Sequence, residues 1–541
     1  VVPTPFALGP VRFDFCQTSG GLAYFISTVF RGKFAVSIFS RSYLLILPAS
    51  PQPAAKFSRT YWLLALAGLL LLLASTYHRA INTDDAWIGE FVYWANRDGY
   101  VRSELFRGLL HSEVYQEVYH KLFVWHAVPA VWWFGWSVYV LKSISLVYVA
   151  GVLVLSWRYL KHLPLANRQL AAGLYFALLL LNTLVAEYSF LFRPELMLMF
   201  LGLCSWLLLR RALLTGAVGA AAGAGVLAGL AGLTHLNGLI FVMAGGLLLL
   251  WRRRWAGAVL FGLTAAVVLA CYGIDMVQHH SWDLFKEQMF MHPAIDNGSH
   301  GLGGRILYLL KEHQRFFHSP KEIVLTLLLL LAAYVLYRQR PHTPEFRNLV
   351  LYTVLLVLCL NLIVQGKTSK YLLLYMPYLL LLVVVAFDQL AQRPVPRLHL
   401  LARGLLGLYF VVNVVYTGIV IAAHRGDQQA QNQQLAQRLR PYWGKRIIAP
   451  VNFIFPAINN FQIQGATYYF MEAEASAQRG QPFDIFATAA RQRIPLVILD
   501  PEAFLGFQLS APTAVGQPFG AYHFIFQDGD HYVYELQQPV H

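Results

Sequence analysis

The sequence predicts an α-helical polytopic membrane protein of about eleven transmembrane helices, followed by a small α/β domain. Three observations predict this class. Of the 541 residues, 57% are hydrophobic and only 13% are charged, about half the ~25% charged share of a soluble chain. The basic residues fall in short clusters between apolar runs, as in cytoplasmic loops. The net charge of +15 is therefore assigned to those loops, and no nucleic-acid partner is expected. From about residue 426 the apolar runs give way to a Gln-rich polar stretch and strand-like pieces.

Taken in order, residues 1–55 have apolar stretches broken by Arg31, Lys33 and Arg41. No run there reaches the ~20 apolar residues of a span, and no clear signal-peptide cleavage site appears. They are expected to form a poorly ordered N-terminal extension. A transmembrane module is expected over 56–425 and a small extracytoplasmic α/β domain over 426–541. The cysteines, Cys16, Cys204, Cys271 and Cys359, are absent from the last stretch and mostly within apolar runs, so no disulfide framework is expected.

The first span is expected at 61–76, after Lys56 and Arg59, and leads to an outside loop that runs to about residue 125. Residues 123–136, rich in tryptophan and containing Pro129, read as an interfacial segment. Further spans are expected at 137–157, 170–185, 195–209, 213–233, 239–251, 255–272, 323–337, 349–364, 371–387 and 405–422. Each loop that this alternation places inside is a basic one: Arg158 to Arg168, Arg210 and Arg211, Arg252 to Arg254, Arg338 to Arg347, and Arg393 to Arg403. The last span then leaves the cytoplasm, which puts the C-terminal domain outside. In that domain, strands are expected at Arg446–Ala449 and Leu496–Leu499, a helix at 483–493 between them, and a hairpin of 522–526 with 532–536.

The outside ends of these spans carry the residues with chemical potential. Asp84 and Asp85 follow the first span and precede an aromatic amphipathic helix. They suit helix capping and the first turn, or a carboxylate presented at the membrane boundary; neighbouring helix positions lie about 100° apart, so one can cap while the other projects. Trp87, Phe91 and Trp94 share a face of that helix and read as interface anchors. Arg193 and Glu195 flank Pro194 as a mutual ion pair or a substrate contact. His235 sits in the turn His235-Leu236-Asn237-Gly238. Lys367, Lys370 and Tyr371 form a third outside cluster against the positive-inside trend, through snorkelling or phosphate binding. The loop 275–319 contains His279, His280, His292, His300, His313 and His318, whose spacings match no zinc signature. Within it His292-Pro293 near Asp296 is the most plausible functional part.

These motifs taken together resemble the GT-C-type glycosyltransferases, in particular the bacterial group related to protein O-mannosyltransferases and the lipid A aminoarabinose transferase. The resemblance rests on Asp84-Asp85, Phe192-Arg193-Pro194-Glu195, Leu233 to Gly238, and Lys367 to Pro377 with Lys370-Tyr371 and Tyr375-Met376-Pro377. It implies a GT-C-like fold in the bacterial inner membrane. It also implies inverting transfer of a sugar from a polyprenyl-phosphate carrier to a lipid, glycan or protein acceptor at the outer face. Asp84, with Asp85 assisting, would take the acceptor proton. Lys367, Lys370 and Arg193 would offset charge on the departing phosphate, and Glu195 or His235 would orient the sugar or acceptor. The family often has Asp-Glu where this chain has Asp-Asp, which leaves the division of labour between the carboxylates open. Some relatives use a divalent metal and others do not; no metal ligand or other cofactor is assigned. The competing classes are a transporter or lipid flippase, which would favour ionisable residues at mid-membrane, and a non-catalytic membrane scaffold.

Overall fold

The computed structural model describes residues 53–291, 309–339, 343–364, 367–392, 395–478 and 480–537. Residues 1–52 of the expected N-terminal extension, and His292, Pro293, Asp296 and His300, lie outside the described residues, while residues 53–55 begin the first helix. The helices relevant here are α1 (Pro53–Ala74), α2 (Thr83–Asp98), α3 (Lys121–Phe134), α4 (Val138–His162), α5 (Arg168–Leu180), α6 (Thr183–Tyr188), α7 (Glu195–Thr215) and α8 (Val218–Thr234). They continue with α9 (Leu239–Trp251), α10 (Trp255–Ala270), α11 (Trp282–Phe290), α12 (Pro320–Gln339), α13 (Pro344–Ile363), α14 (Met376–Gln392), α15 (Pro396–Ala423) and α16 (Gln428–Arg438). Among the described residues six helices are long and apolar enough to cross a membrane, and five more are shorter and apolar. Large apolar side chains such as Leu66 and Leu70 on α1, and Val411 and Ile419 on α15, stay exposed, as lipid-facing positions do.

One end of the bundle gathers the basic turns. Arg210 pairs with Glu345, Arg252 Nε donates to Asn348 Oδ1 at 2.7 Å, and Asp388 accepts from the backbone of Ala166 and Asn167 at 3.0 and 3.1 Å. The opposite end carries the α1–α2, α6–α7 and α8–α9 connections and the sheet domain.

Two helix expectations are corrected. The stretch expected as one helix over 170–185 breaks at Leu181 and Asn182. Asn182 caps α6, and its amide donates to the Tyr409 hydroxyl at 2.8 Å, while Thr183 bonds Asn413. This polar latch onto α15 satisfies the groups that the break frees. The aromatic face of α2 does not anchor at a membrane interface: Phe91 and Trp94 are buried, with the Arg102 guanidinium 3.5 Å from the Trp94 ring centre. Its far side is covered by the sheet domain, where Tyr93 donates to Asn459 Oδ1 at 2.6 Å and Gly89 faces Phe455. By contrast, Trp132, Trp133 and Phe134 at the end of α3 are more than two-thirds exposed, as an interfacial belt requires.

Helix α8 packs closely because its contact face is small. A Cβ on Gly225 would lie 2.3 Å from the Phe261 carbonyl oxygen of α10, an approach that small residues permit in membrane helices.

The C-terminal sheet has the order β2-β1-β3-β6-β5-β4, with β1 Arg446–Ala449, β2 Gln462–Gly465, β3 Leu496–Leu499, β4 Pro518–Phe519, β5 Tyr522–Asp528 and β6 His531–Leu536. β1 runs parallel to β2 and β3, and β5 and β6 form the hairpin. The helix expected at 483–493 is Ile485–Arg491, and Ile454–Ala457 and Ala466–Gln478 also lie between β1 and β3. The edge strand β2 holds the α2–α3 loop: Gly465 N donates to Leu105 O and Gln464 Nε2 to Arg107 O, both at 2.9 Å.

Candidate active site

The site begins at the N-terminus of α2. Asn82 is the N-cap, its side chain accepting from Asp84 N at 3.0 Å, while Asp85 Oδ2 accepts from Asn82 N at 2.8 Å. This reciprocal capping box leaves the two aspartates pointing different ways. Asp85 is fully buried. Its Oδ1 accepts from Phe192 N at 2.6 Å, and its Oδ2 lies 3.1 Å from Lys142 Nζ, which also donates to Ala80 O at 2.7 Å. Asp85 therefore ties α2, α4 and the approach to α7 together, with no free edge toward a substrate.

Asp84 projects from the same turn and is partly exposed. It forms an ion pair with Arg193 and accepts from Trp87 Nε1 at 2.8 Å. Arg193 in turn grips Glu195 from Nε at 3.1 Å and from Nη2 at 2.8 Å, the planar fork that a guanidinium offers a carboxylate. Pro194 opens α7, so Arg193 and Glu195 are set by the helix start. One guanidinium is thus shared between a partly exposed carboxylate and a buried one.

The turn after α8 brings His235. A Cβ on Gly238 would sit 2.1 Å from Ala231 O, so only glycine lets this turn fold under the end of α8. His235 Nδ1 accepts from Asn237 N at 2.9 Å. Its ring stacks on His120, which the sequence did not single out, with centres 4.6 Å apart and planes at 24°. The Trp87 ring centre lies 5.9 Å from that of His120, with the planes tilted at 58°. Burial first, then the neighbouring His235 and Lys370, push His120 down to about 3; burial pushes His235 down to about 4, against the pull of Glu195. Both imidazoles are neutral at ordinary pH.

The lysines expected to act together are separated. Lys367 Nζ binds Glu312 Oε2 at 2.9 Å and the Asn361 side chain. Glu312 also accepts from Arg315 Nε at 2.9 Å, and Arg315 donates to Thr368 O at 2.6 Å. This buried network holds the loop. Lys370, one turn on, has no hydrogen-bond or ion-pair partner among the described residues; its ammonium lies 5.3 Å from the Tyr371 ring centre. Burial, then Arg193, lowers its pKa against the pull of Glu195, which couples it to the Arg193–Glu195 pair. Tyr371 contacts Asn237 and is coupled to the same pair. Asp84, Arg193, Glu195, His235, Lys370 and Tyr371 therefore form one cluster, joined by His120 and Trp87. Asp85 lies behind it, and Lys367 belongs to the neighbouring network.

Other expected candidates are held elsewhere. His279 Nδ1 is 3.2 Å from Glu117 Oε1, in a buried cluster where Lys121 meets Asp275 at 2.8 Å. No group of three or more His, Cys, Asp or Glu side chains suited to a metal ion occurs among the described residues.

Residues 119–361 match the model of glycosyltransferase family 87. Among solved structures, ArnT from Cupriavidus metallidurans bound to undecaprenyl phosphate is 14% identical with a TM-score of 0.55, covering 88% of this chain and 98% of that one. ArnT from the same organism in the apo state is 15% identical with a TM-score of 0.53 and the same coverage. No curated protein matches the chain. Most of the chain therefore has the fold seen in ArnT, and its central helices match a glycosyltransferase family model.

Proposed function

We propose that the chain moves a sugar from a polyprenyl-phosphate carrier to an acceptor hydroxyl or phosphate at the outer face of the bacterial inner membrane, with inversion. The observation that carries this reading is the unpaired Lys370 ammonium beside an Arg193 already shared by Asp84 and Glu195. Two cations against two carboxylates leave the cluster able to take an anionic lipid headgroup. The binding of undecaprenyl phosphate by an ArnT of the same fold supports such a donor.

In this reading Lys370 and Arg193 receive the phosphate and offset the charge that grows on it as the sugar–oxygen bond breaks. Asp84, the partly exposed carboxylate, takes the proton of the attacking hydroxyl. Asp85 holds α2 in register rather than assisting chemically. Glu195 fixes Arg193, and Lys367 fixes the loop that carries Lys370 and Tyr371. Residues 56–425 form the catalytic module. The sheet domain 426–541 lies on the outer side, opposite the basic turns, as the positive-inside rule favours.

The test is sugar transfer in liposomes from polyprenyl-phosphate-linked hexose or pentose, with the product anomer determined. Asp84→Asn is expected to lower kcat by about 10²–10⁴-fold, the usual range for losing a general base, with the chain still folded. Full activity of Asp84→Asn, or a retained anomer, would overturn the assignment.

A further inference from the structure

His120 and His235 are a pair of neutral rings in a site otherwise built of charges. Asn237 N–H occupies His235 Nδ1, which fixes the proton on Nε2 and leaves that N–H as a donor. Neither ring nitrogen of His120 has a hydrogen-bond partner among the described residues, and neither is among the sealed, unpartnered atoms of the interior. The pair therefore offers two donors and one acceptor to a ligand. It is half-buried and coupled to Lys370 on one side. On the other it meets Trp87, whose indole N–H binds Asp84. The two imidazoles thus neighbour both Lys370 and, through Trp87, Asp84.

We propose that the His120–His235 pair is the sugar subsite, its free ring nitrogens hydrogen-bonding hydroxyls of an uncharged hexose or pentose on the lipid phosphate; this rests on the function proposed above. Hydroxyls both donate and accept, which matches the mixed donors and acceptor of neutral imidazoles. A phosphate would find only two weak donors there.

The experiment measures binding of the full chain in detergent to polyprenyl-phosphate-linked hexose, to the pentose counterpart and to sugar-free polyprenyl phosphate. The wild-type chain is expected to bind one sugar-linked form more tightly than the bare carrier. His120→Phe keeps a stacked ring but has no ring nitrogen, so it should lose that preference by about tenfold, the worth of one net hydrogen bond of ~1.4 kcal/mol. Affinity for the bare carrier should stay within about twofold, and His120→Asn should recover part of the preference. The proposal is overturned if His120→Phe keeps the wild-type preference, if it weakens the bare carrier equally, or if the wild-type chain shows no preference. Lys370→Gln tests the underlying reading separately, because it should weaken all the ligands, the bare carrier included.

Discussion

Asp84 and Asp85 differ by one position and by everything that surrounds them. Replacing Asp85 by Asn leaves Lys142 buried without its counter-charge, which costs about 3–5 kcal/mol when a buried pair is broken. The expected outcome is a clear fall in melting temperature in detergent, whereas Asp84→Asn should leave thermal stability nearly unchanged and remove turnover. Equal thermal loss in both variants would contradict this separation. The sequence exposed the two carboxylates and the chance that one caps while the other projects. Which one projects is decided by Phe192 N and Lys142, far along the chain. Lys367 and Lys370 teach the same lesson, since they look alike in sequence and only Glu312 neutralises one of them. His120, a single histidine before an aromatic helix, carried no local mark at all.

At the scale of elements, α2 and the α8–α9 turn set the site. Glu90, on the buried side of α2, accepts from Ser103 Oγ at 2.6 Å, from Trp94 Nε1 at 3.0 Å and from two loop N–H groups. Burial outweighs these bonds and raises its pKa from the usual carboxylate value to about 7. A raised carboxyl contributes stability that is complete below the unfolded value near 4.5 and is lost as pH climbs through about 7. Glu90→Gln should therefore flatten the decline in melting temperature between those limits; an unchanged slope would assign it to other groups. Gly238→Ala forces a Cβ into Ala231 O, and overpacking of this kind costs about 1–3 kcal/mol. It should lower both stability and activity, the latter by displacing His235; a variant with wild-type melting and turnover would show that the turn has room to shift. The helices were legible because apolar length and basic turns are local signals. The break at Asn182 was not, because its latch, Tyr409 and Asn413, lies on α15. Nor was the burial of α2, since an aromatic face awaiting a docked domain looks the same as one awaiting a bilayer.

Across the whole molecule, the bundle places the cluster of Asp84, Arg193, Glu195 and Lys370 away from its basic turns, and the sheet domain braces the helix that carries Asp84. Strands β1 and β3 were readable as short apolar runs and the β5–β6 hairpin from its turn residues; β2, whose edge holds the α2–α3 loop, was not, because Ile463 is the one large apolar side chain in its four residues. Binding of sugar-free polyprenyl phosphate to the full chain tests most directly whether distant parts of the sequence build one anion-receiving site. Lys370→Gln removes a charge-assisted contact worth about 1.5–3 kcal/mol, so affinity should fall by tenfold or more. Asp84→Asn removes a repelling carboxylate and should leave affinity equal or tighter. Wild-type affinity in Lys370→Gln, or a loss of binding in Asp84→Asn, would contradict the site described here.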